Sequence, residues 1–522
     1  MTPPTRVLLL SMPDQFLGFW IAARLPNLGL VSMAGNRDGS ECEVGVVDLL
    51  IVPGDLERNV KTLVDRFHPD LVGLNCMTFQ FPTARRLAKF VKEEWDGEVS
   101  VAMGGYHPSL CVEELVGDLP EQQGCDLSAD RRAAPWVDYV VRGEGEHALR
   151  ELVHALRGEG HLRDVAGLSW RGPDGRFRHN PPRPVADLST ILPPDRSARL
   201  VKRGYHAIGK PADVVETSRG CTNACKFCSI TAMYGRGIRF YDLDRVVADV
   251  RDCADRGAKA VLFIDDNITL NAKRFEELCD RIVDEGLHEQ LEFHTQASAS
   301  GLLAREPLVE KMGKANFSVV FFGIENLKPR NLAFMDKRVP VGKLKRLVRA
   351  LHDNGMISFG GFIFGNPDDG EADFWRNVEF ARYLDLDFPA FQIMVPFPKT
   401  GTREDLMSAG LVSNPHDYAK YTGIYANVRT RHLEPEAMER LLLRCYYRYY
   451  TPGWFFRRLR RTKVVRKHGR YVMSVVRKYA PLALRSWLTS AGLLADRQSP
   501  ESPEDQVLER FRYLRDSRTG GL

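Results

Sequence analysis

The sequence predicts an α/β protein made of two successive strand–helix units and a helical C-terminal region. Three observations carry this expectation. Short continuous apolar runs recur through residues 1–150 and again through 213–398, with helix-like periodic stretches between them. Such runs, separated by helices, indicate parallel sheets covered on both faces. At 522 residues the chain is also too long for one ordinary core, so several domains are expected.

In the first unit the strand runs fall at 6–11, 44–49, 71–76, 99–104 and 139–143, with helical periodicity over 56–67 and 83–94. Five strands in this span suggest a doubly wound sheet, whose ligands bind beyond the carboxyl ends of the strands. Two of those ends are glycine-rich: Gly104-Gly105-Tyr106-His107-Pro108 and Arg142-Gly143-Glu144-Gly145-Glu146. Glycine permits close backbone approach to a large ligand. A tight strand-to-helix turn uses it equally well. The second run also reads as a helix N-terminus with acids set against the dipole, Glu146 serving as a cap.

Residues 155–210 are rich in Gly, Pro and Arg and read as a connector carrying a small hairpin. The second unit has strand runs at 214–217, 260–265, 291–296, 319–324, 359–365 and 391–395. They are spaced roughly 26–47 residues apart, long enough for a helix in each crossover. Six such units fit a barrel or an open partial barrel with its active site at the carboxyl ends of the strands. The expected domains are therefore 1–154, 155–210, 211–400 and a helical, basic 401–522.

A short loop directly after the first strand of the second unit reads C-T-N-A-C-K-F-C, which spaces Cys221, Cys225 and Cys228 as CxxxCxxC. Three thiolates can hold a cuboidal iron–sulfur cluster and leave one iron open to a small molecule. Zinc would want four ligands, and no second CxxC stands elsewhere in the chain. The other seven cysteines have no spacing that suggests a disulfide framework, which fits a reducing compartment.

The run Glu216-Thr217-Ser218-Arg219-Gly220-Cys221, continued by Cys225 and Phe227-Cys228, resembles the radical S-adenosylmethionine (SAM) superfamily. The resemblance implies a partial (β/α)6 barrel of TIM type. It also implies a [4Fe–4S] cluster on Cys221, Cys225 and Cys228, whose open iron is chelated by SAM. Later strand ends match as well: Phe263-Ile264-Asp265-Asp266-Asn267, Thr295-Gln296-Ala297-Ser298, Gly323-Ile324-Glu325-Asn326 and Gly360–Gly365. By resemblance Phe227, Asp265, Gln296, Gly323 and Glu325 are SAM contacts. Asn326 stands where relatives carry Ser.

Upstream, the segments from Gly104 to Ser109 and from Val141 to Glu146 resemble those of the cobalamin-binding class of that superfamily. This implies a Rossmann-like, doubly wound cobalamin domain with contacts from Thr78, Gly104, Gly105, Tyr106, His107, Arg142, Gly143 and Glu144. The D-x-H-x-x-G loop that supplies an axial histidine in other B12 proteins is missing, and the first histidine is His68. The two resemblances together imply a cobalamin-dependent radical SAM methyltransferase acting on an unactivated carbon of a small-molecule or lipid-like substrate. A flavodoxin or ferredoxin would supply electrons. Oxidative cyclisation or rearrangement on the same cofactors is the alternative, and a non-catalytic corrinoid or cluster sensor a third reading.

The net charge of +5 hides an asymmetry: residues 440–495 hold 14 Lys/Arg and no Asp or Glu, so the rest of the chain carries −9. Tyr446, Tyr447, Tyr449, Tyr450, Trp454, Phe455 and Phe456 stand among these arginines. A helical subdomain packing its aromatics on the barrel is the first expectation, a membrane-surface contact the second and nucleic acid the weakest. No apolar run reaches bilayer length, and no signal-peptide layout opens the chain, so a cytoplasmic enzyme is expected.

Overall fold

The first strand, Thr5–Ser11, is apolar on both faces, and Val7 to Leu10 are at most 2% exposed. That pattern belongs at the centre of a parallel sheet. In the computed structural model, which describes residues 3–14, 23–39, 41–116, 134–451 and 453–454, it pairs in parallel with Cys42–Asp48 on one side and Leu71–Asn75 on the other. Ser100–Gly104 and Tyr139–Val141 continue the sheet, also in parallel. The five strands therefore lie in the order 2-1-3-4-5. Helices Leu28–Gly35 and Gly145–Leu156 cover one face, and Leu56–Phe67 and Phe81–Glu94 the other. The order reverses between the first and third strands, so the crevice opens beyond Ser11 and Asn75.

The segment read as a connector does more than connect. Leu168–Arg171 and Phe177–His179 form a hairpin that adds two antiparallel strands to the first sheet. Leu168 and Phe177 are buried in the apolar cores there and Trp170 packs partly buried against one, too few to announce strands amid Gly, Pro and Arg. Further on, Arg196 is buried against Asp213 (3.3 Å), Asp252 (3.2 Å) and Asp249, and donates to the Val214 carbonyl (2.8 Å). Arg199 pairs with the same Asp213 (2.6 Å), and the Tyr205 hydroxyl donates to Asp48 at 2.6 Å. These contacts fasten the second strand of the first unit to the second unit.

The second sheet is an open half-barrel. Lys210–Val215, Ala260–Phe263, Glu292–Ser298, Phe317–Glu325, Ile357–Phe364 and Phe388–Ile393 are parallel neighbours in chain order. Alternate side chains (Val320, Phe322, Ile324; Phe362, Phe364; Phe391, Ile393) pack outward into a core shared with the surrounding helices. Beyond the first barrel strand the sheet continues antiparallel through His206–Ala207 to Ala23–Arg24, which comes from the first unit.

At the far edge, helix Pro435–Tyr449 packs its aromatic side chains on the sixth strand. The Tyr446 hydroxyl donates to the Phe391 carbonyl (2.8 Å), and Tyr449 donates to that of Leu386. The described start of the basic block thus packs on the barrel, as first expected. Its continuation from Phe455, with most of the arginines, lies outside the described residues. Among the described residues no helix is long and apolar enough to cross a membrane.

Candidate functional site

The cysteine loop leaves the first barrel strand through the short strand Ser218–Arg219. Gly220 makes the turn with φ +89°; a Cβ there would stand 2.5 Å from the Gly237 carbonyl oxygen, so only glycine fits. Its N–H donates to the Asp266 carboxylate (2.8 Å). Two further segments grip the loop. The Lys226 N–H donates to the Met335 carbonyl (3.0 Å), and the Thr402 N–H donates to the Lys226 carbonyl (3.0 Å). Among the described residues these three cysteines are half-buried, whereas the other six are buried. Burial pushes the Cys228 thiol up to about 11 and raises Cys221 and Cys225. Three accessible thiols on one anchored loop are the donor set an iron–sulfur cluster needs, with protons leaving as metal enters.

Phe227 packs on the barrel core. Gln296 donates from Nε2 to the Asp265 carbonyl (2.6 Å) and remains half-exposed. Glu325 occupies a left-handed conformation, φ +62°, which is costly for a non-glycine residue. Its carboxylate folds back over Gly323, in space that a side chain there would fill, and pairs with Lys337 at 3.0 Å. Lys337 also lies 5.8 Å from the Phe227 ring centre. Although burial opposes its charge, Glu325 and the Cys225 and Cys228 thiols outweigh burial and raise the Lys337 pKa. Sequence reasoning missed Lys337, which no spacing ties to the loop.

Asp265, expected at SAM, has another task. Its carboxylate accepts from the Thr217 N–H (3.1 Å), the Thr217 hydroxyl (2.6 Å) and the Ser218 hydroxyl (2.5 Å), and it is 1% exposed. It shapes the entry to the cysteine loop from below.

The glycine-rich ends of the first sheet face this loop. Gly105 has φ +101° and lies so close to Cys76 that a Cβ would come within 2.7 Å of its carbonyl oxygen. Gly143 has φ +84° and open space where a Cβ would stand, a backbone cradle suited to a large ligand. Gly104 is half-buried beside them, and Thr78 is buried in the single turn Thr78–Gln80 after the third strand. Tyr106 crosses to the barrel: its ring meets Tyr234 edge-on, 6.2 Å between centres. Tyr234 ends the helix that begins two residues after Cys228.

Three expected cobalamin contacts have protein partners in the folded chain. His107 is 1% exposed, packed between Phe81 (4.3 Å) and Tyr418 (4.6 Å), and burial lowers its pKa to about 3. It joins the first unit to the C-terminal region. The Arg142 guanidinium turns to the carbonyls of Asn180 and Leu168. Glu144 accepts from Arg219 (3.1 Å), Arg239 (2.8 Å) and the Ala186 N–H (2.7 Å).

That last contact belongs to a buried charge cluster between the units. Arg219, two residues before Cys221, pairs with Glu216 (2.8 Å), Glu144 (3.1 Å) and Glu146 (2.7 Å). Ser32 also donates to Glu146 (2.8 Å). Burial pushes Glu216 up to about 7 despite Arg219. Burial also opposes the charge on Glu146, yet Arg219 and the hydrogen bonds outweigh it and lower that pKa. Glu146 was expected as a helix cap; its partner in the other unit is a contact sequence alone does not reveal.

A cysteine trio at the carboxyl end of a parallel half-barrel, facing the carboxyl ends of a doubly wound sheet, defines an iron–sulfur enzyme with a second cofactor-binding unit. Residues 215–381 match the model of the radical SAM superfamily, and residues 17–153 match that of the B12 binding domain. An uncharacterized methyltransferase of Pyrococcus horikoshii is 31% identical over 81% of this chain and 88% of its own. The anaerobic magnesium-protoporphyrin IX monomethyl ester cyclase of Rubrivivax gelatinosus is 25% identical over 83% of this chain and 74% of its own. Among solved structures, the radical SAM methyltransferase TsrM of Kitasatospora setae, bound to cobalamin and a [4Fe–4S] cluster, shares the fold. It superposes with a TM-score of 0.62 at 17% identity, over 79% of each chain. The chain belongs to the cobalamin-binding radical SAM superfamily, and its cofactors are a [4Fe–4S] cluster, SAM and cobalamin.

Proposed function

We propose that the protein is a methyltransferase that places a methyl group on an unactivated carbon of a small molecule. The observation that carries this reading is the contact of the two strand-end faces, Tyr106 on Tyr234 and Glu144 and Glu146 on Arg219. With its groups bound, the cluster and SAM supply a hydrogen-abstracting radical, and cobalamin supplies a methyl carrier. The chain's own residues do the remaining work. Cys221, Cys225 and Cys228 would hold the cluster. Glu325, paired with Lys337, presents a fixed carboxylate to the amino group of SAM, and Gln296 offers its amide oxygen. The backbone at Gly104, Gly105 and Gly143 would approach the corrin, with Thr78 on its floor. Holding both groups against one substrate carbon makes their order of action a matter of position. Electrons would come from a flavodoxin or ferredoxin.

Anaerobically reconstituted protein, reduced and given methyl-labelled SAM, should release 5′-deoxyadenosine and carry label into the product. Deoxyadenosine with an unlabelled product would favour oxidative cyclisation, the reading supported by the magnesium-protoporphyrin ester cyclase match.

A further inference from the structure

The concave face of the half-barrel is divided. On its third strand, Glu292 closes a polar group at the base, accepting from Lys210 (2.6 Å) and Ser318 (2.6 Å) and meeting His294 at 3.2 Å. On the next three strands the character changes. Phe321, Phe359 and Phe388 are register partners on the fourth, fifth and sixth strands. Their rings form an edge-to-face ladder, 5.2 Å and 6.5 Å between centres, which Trp454 extends at 6.0 Å.

This ladder is not core. Strand alternation turns Val320, Phe322, Phe362, Phe364 and Phe391 outward onto the helices, and among the described residues none of Phe321, Phe359 or Phe388 belongs to the apolar cores. Phe388 is 37% exposed, and the other two are half-buried. The row above is Gly323, Gly361 and Ala390, again in register. Gly361 lacks a side chain where the Phe321 ring leans: a Cβ there would lie 2.9 Å from its Cζ. The aromatic surface is thereby tilted toward the upper end of the barrel. Gln296 stands in register with Phe321 on the third strand.

The wall is continuous with the proposed SAM side of the site. Phe321 and Gly323 share one face of one strand, and the Glu325 carboxylate, two positions beyond Gly323, folds back over it on that face. The three phenylalanines span two strand spacings, about 10 Å. We propose that this wall receives the hydrocarbon part of the substrate, a ring system or prenyl chain laid across Phe321, Phe359 and Phe388. The inference rests on the radical SAM reading of the site and gives it a substrate class: apolar, and broad or long enough to cover three strands.

The test uses the full chain, reconstituted anaerobically, and an adamantane diazirine as an apolar photolabel, with labelled peptides mapped by mass spectrometry. Label should concentrate on residues 317–325, 357–364 and 388–393. Phe359→Asp should cut that labelling roughly tenfold, about what removing one buried aromatic contact costs, whereas Phe359→Leu should retain most of it. Iron and cobalamin content report whether each variant is folded, and the wild-type map decides even if Phe359→Asp does not fold. Label scattered over the surface, or unmoved by a folded Phe359→Asp, overturns the proposal. Labelling that appears only on dilution would give the wall to a second copy of the chain, which also overturns it. If the reconstituted wild type releases no 5′-deoxyadenosine, the reading of the site fails instead, whatever the label maps to.

Discussion

Replacing Arg219 with methionine tests whether the two units are locked by charge. The side chain is 9% exposed and faces Glu216, Glu144 and Glu146. Removing one partner of a buried ion pair costs about 3–5 kcal/mol, because the other charge stays buried without compensation. Glu144 keeps Arg239 and the Ala186 N–H, Glu216, already pushed up to about 7 by burial, can take a proton, and Glu146 keeps only the Ser32 hydroxyl among its side-chain partners. The lower figure therefore applies, about 3 kcal/mol, or roughly 150-fold in the opening equilibrium of the interface. Global unfolding of a multidomain chain is a poor gauge of this, so the assay is native-state hydrogen exchange read on peptides around 142–147 and 216–221. Exchange there should accelerate roughly 100-fold in Arg219→Met while the strands near residues 44–48 stay unchanged. Adding Glu146→Gln should restore part of the protection, because it removes the stranded charge. Exchange within threefold of wild type, or no rescue by Glu146→Gln, would refute the reasoning.

Two more expectations come from the same geometry. His107 is held neutral with its pKa near 3, below the unfolded value of about 6.5, so the unfolded chain binds the extra proton. Its contribution to stability is present above about pH 6.5 and is lost as pH falls toward 3; His107→Phe should flatten the pH dependence of hydrogen-exchange protection around residues 105–110 between pH 6.5 and 4.5, and an unchanged slope would reject the assignment. In Gly220→Ala the added methyl meets the Gly237 carbonyl on a left-handed backbone, a strain of about 1–3 kcal/mol. Iron bound per chain after reconstitution should fall by at least half, and full iron loading would show that the loop tolerates the methyl.

The parts of the molecule that repeat a local pattern were legible in the sequence. Apolar runs located the eleven parallel strands among the described residues, and the spacing of Cys221, Cys225 and Cys228 identified their loop. Residues whose work depends on a distant partner were not legible. Glu144 lies in a run that reads as a ligand loop or a helix start, and only the folded chain brings Arg219 and Arg239 to it. Asp265 stands at a strand end, where carboxylates often meet ligands, yet Thr217 and Ser218 on the neighbouring strand end supply three donors to it. His107 follows two glycines at the cleft, but its ring direction is set by Phe81 and Tyr418. The sequence supplies the chemical type of a side chain, and the fold selects its partner.

Lys226 sits between the second and third cysteines, clasped by the Met335 carbonyl on one side and the Thr402 N–H on the other. Those two anchors lie far along the chain from the cysteines, one in the crossover between the fourth and fifth barrel strands and the other in the helix after the sixth. During synthesis the cysteines therefore leave the ribosome long before the clasp that shapes their loop exists. The nascent loop has its thiols but not its geometry, and a cluster delivered then would meet an unfinished binding site. The geometry of the cysteine loop is therefore complete only once the chain through residue 402 has folded around it.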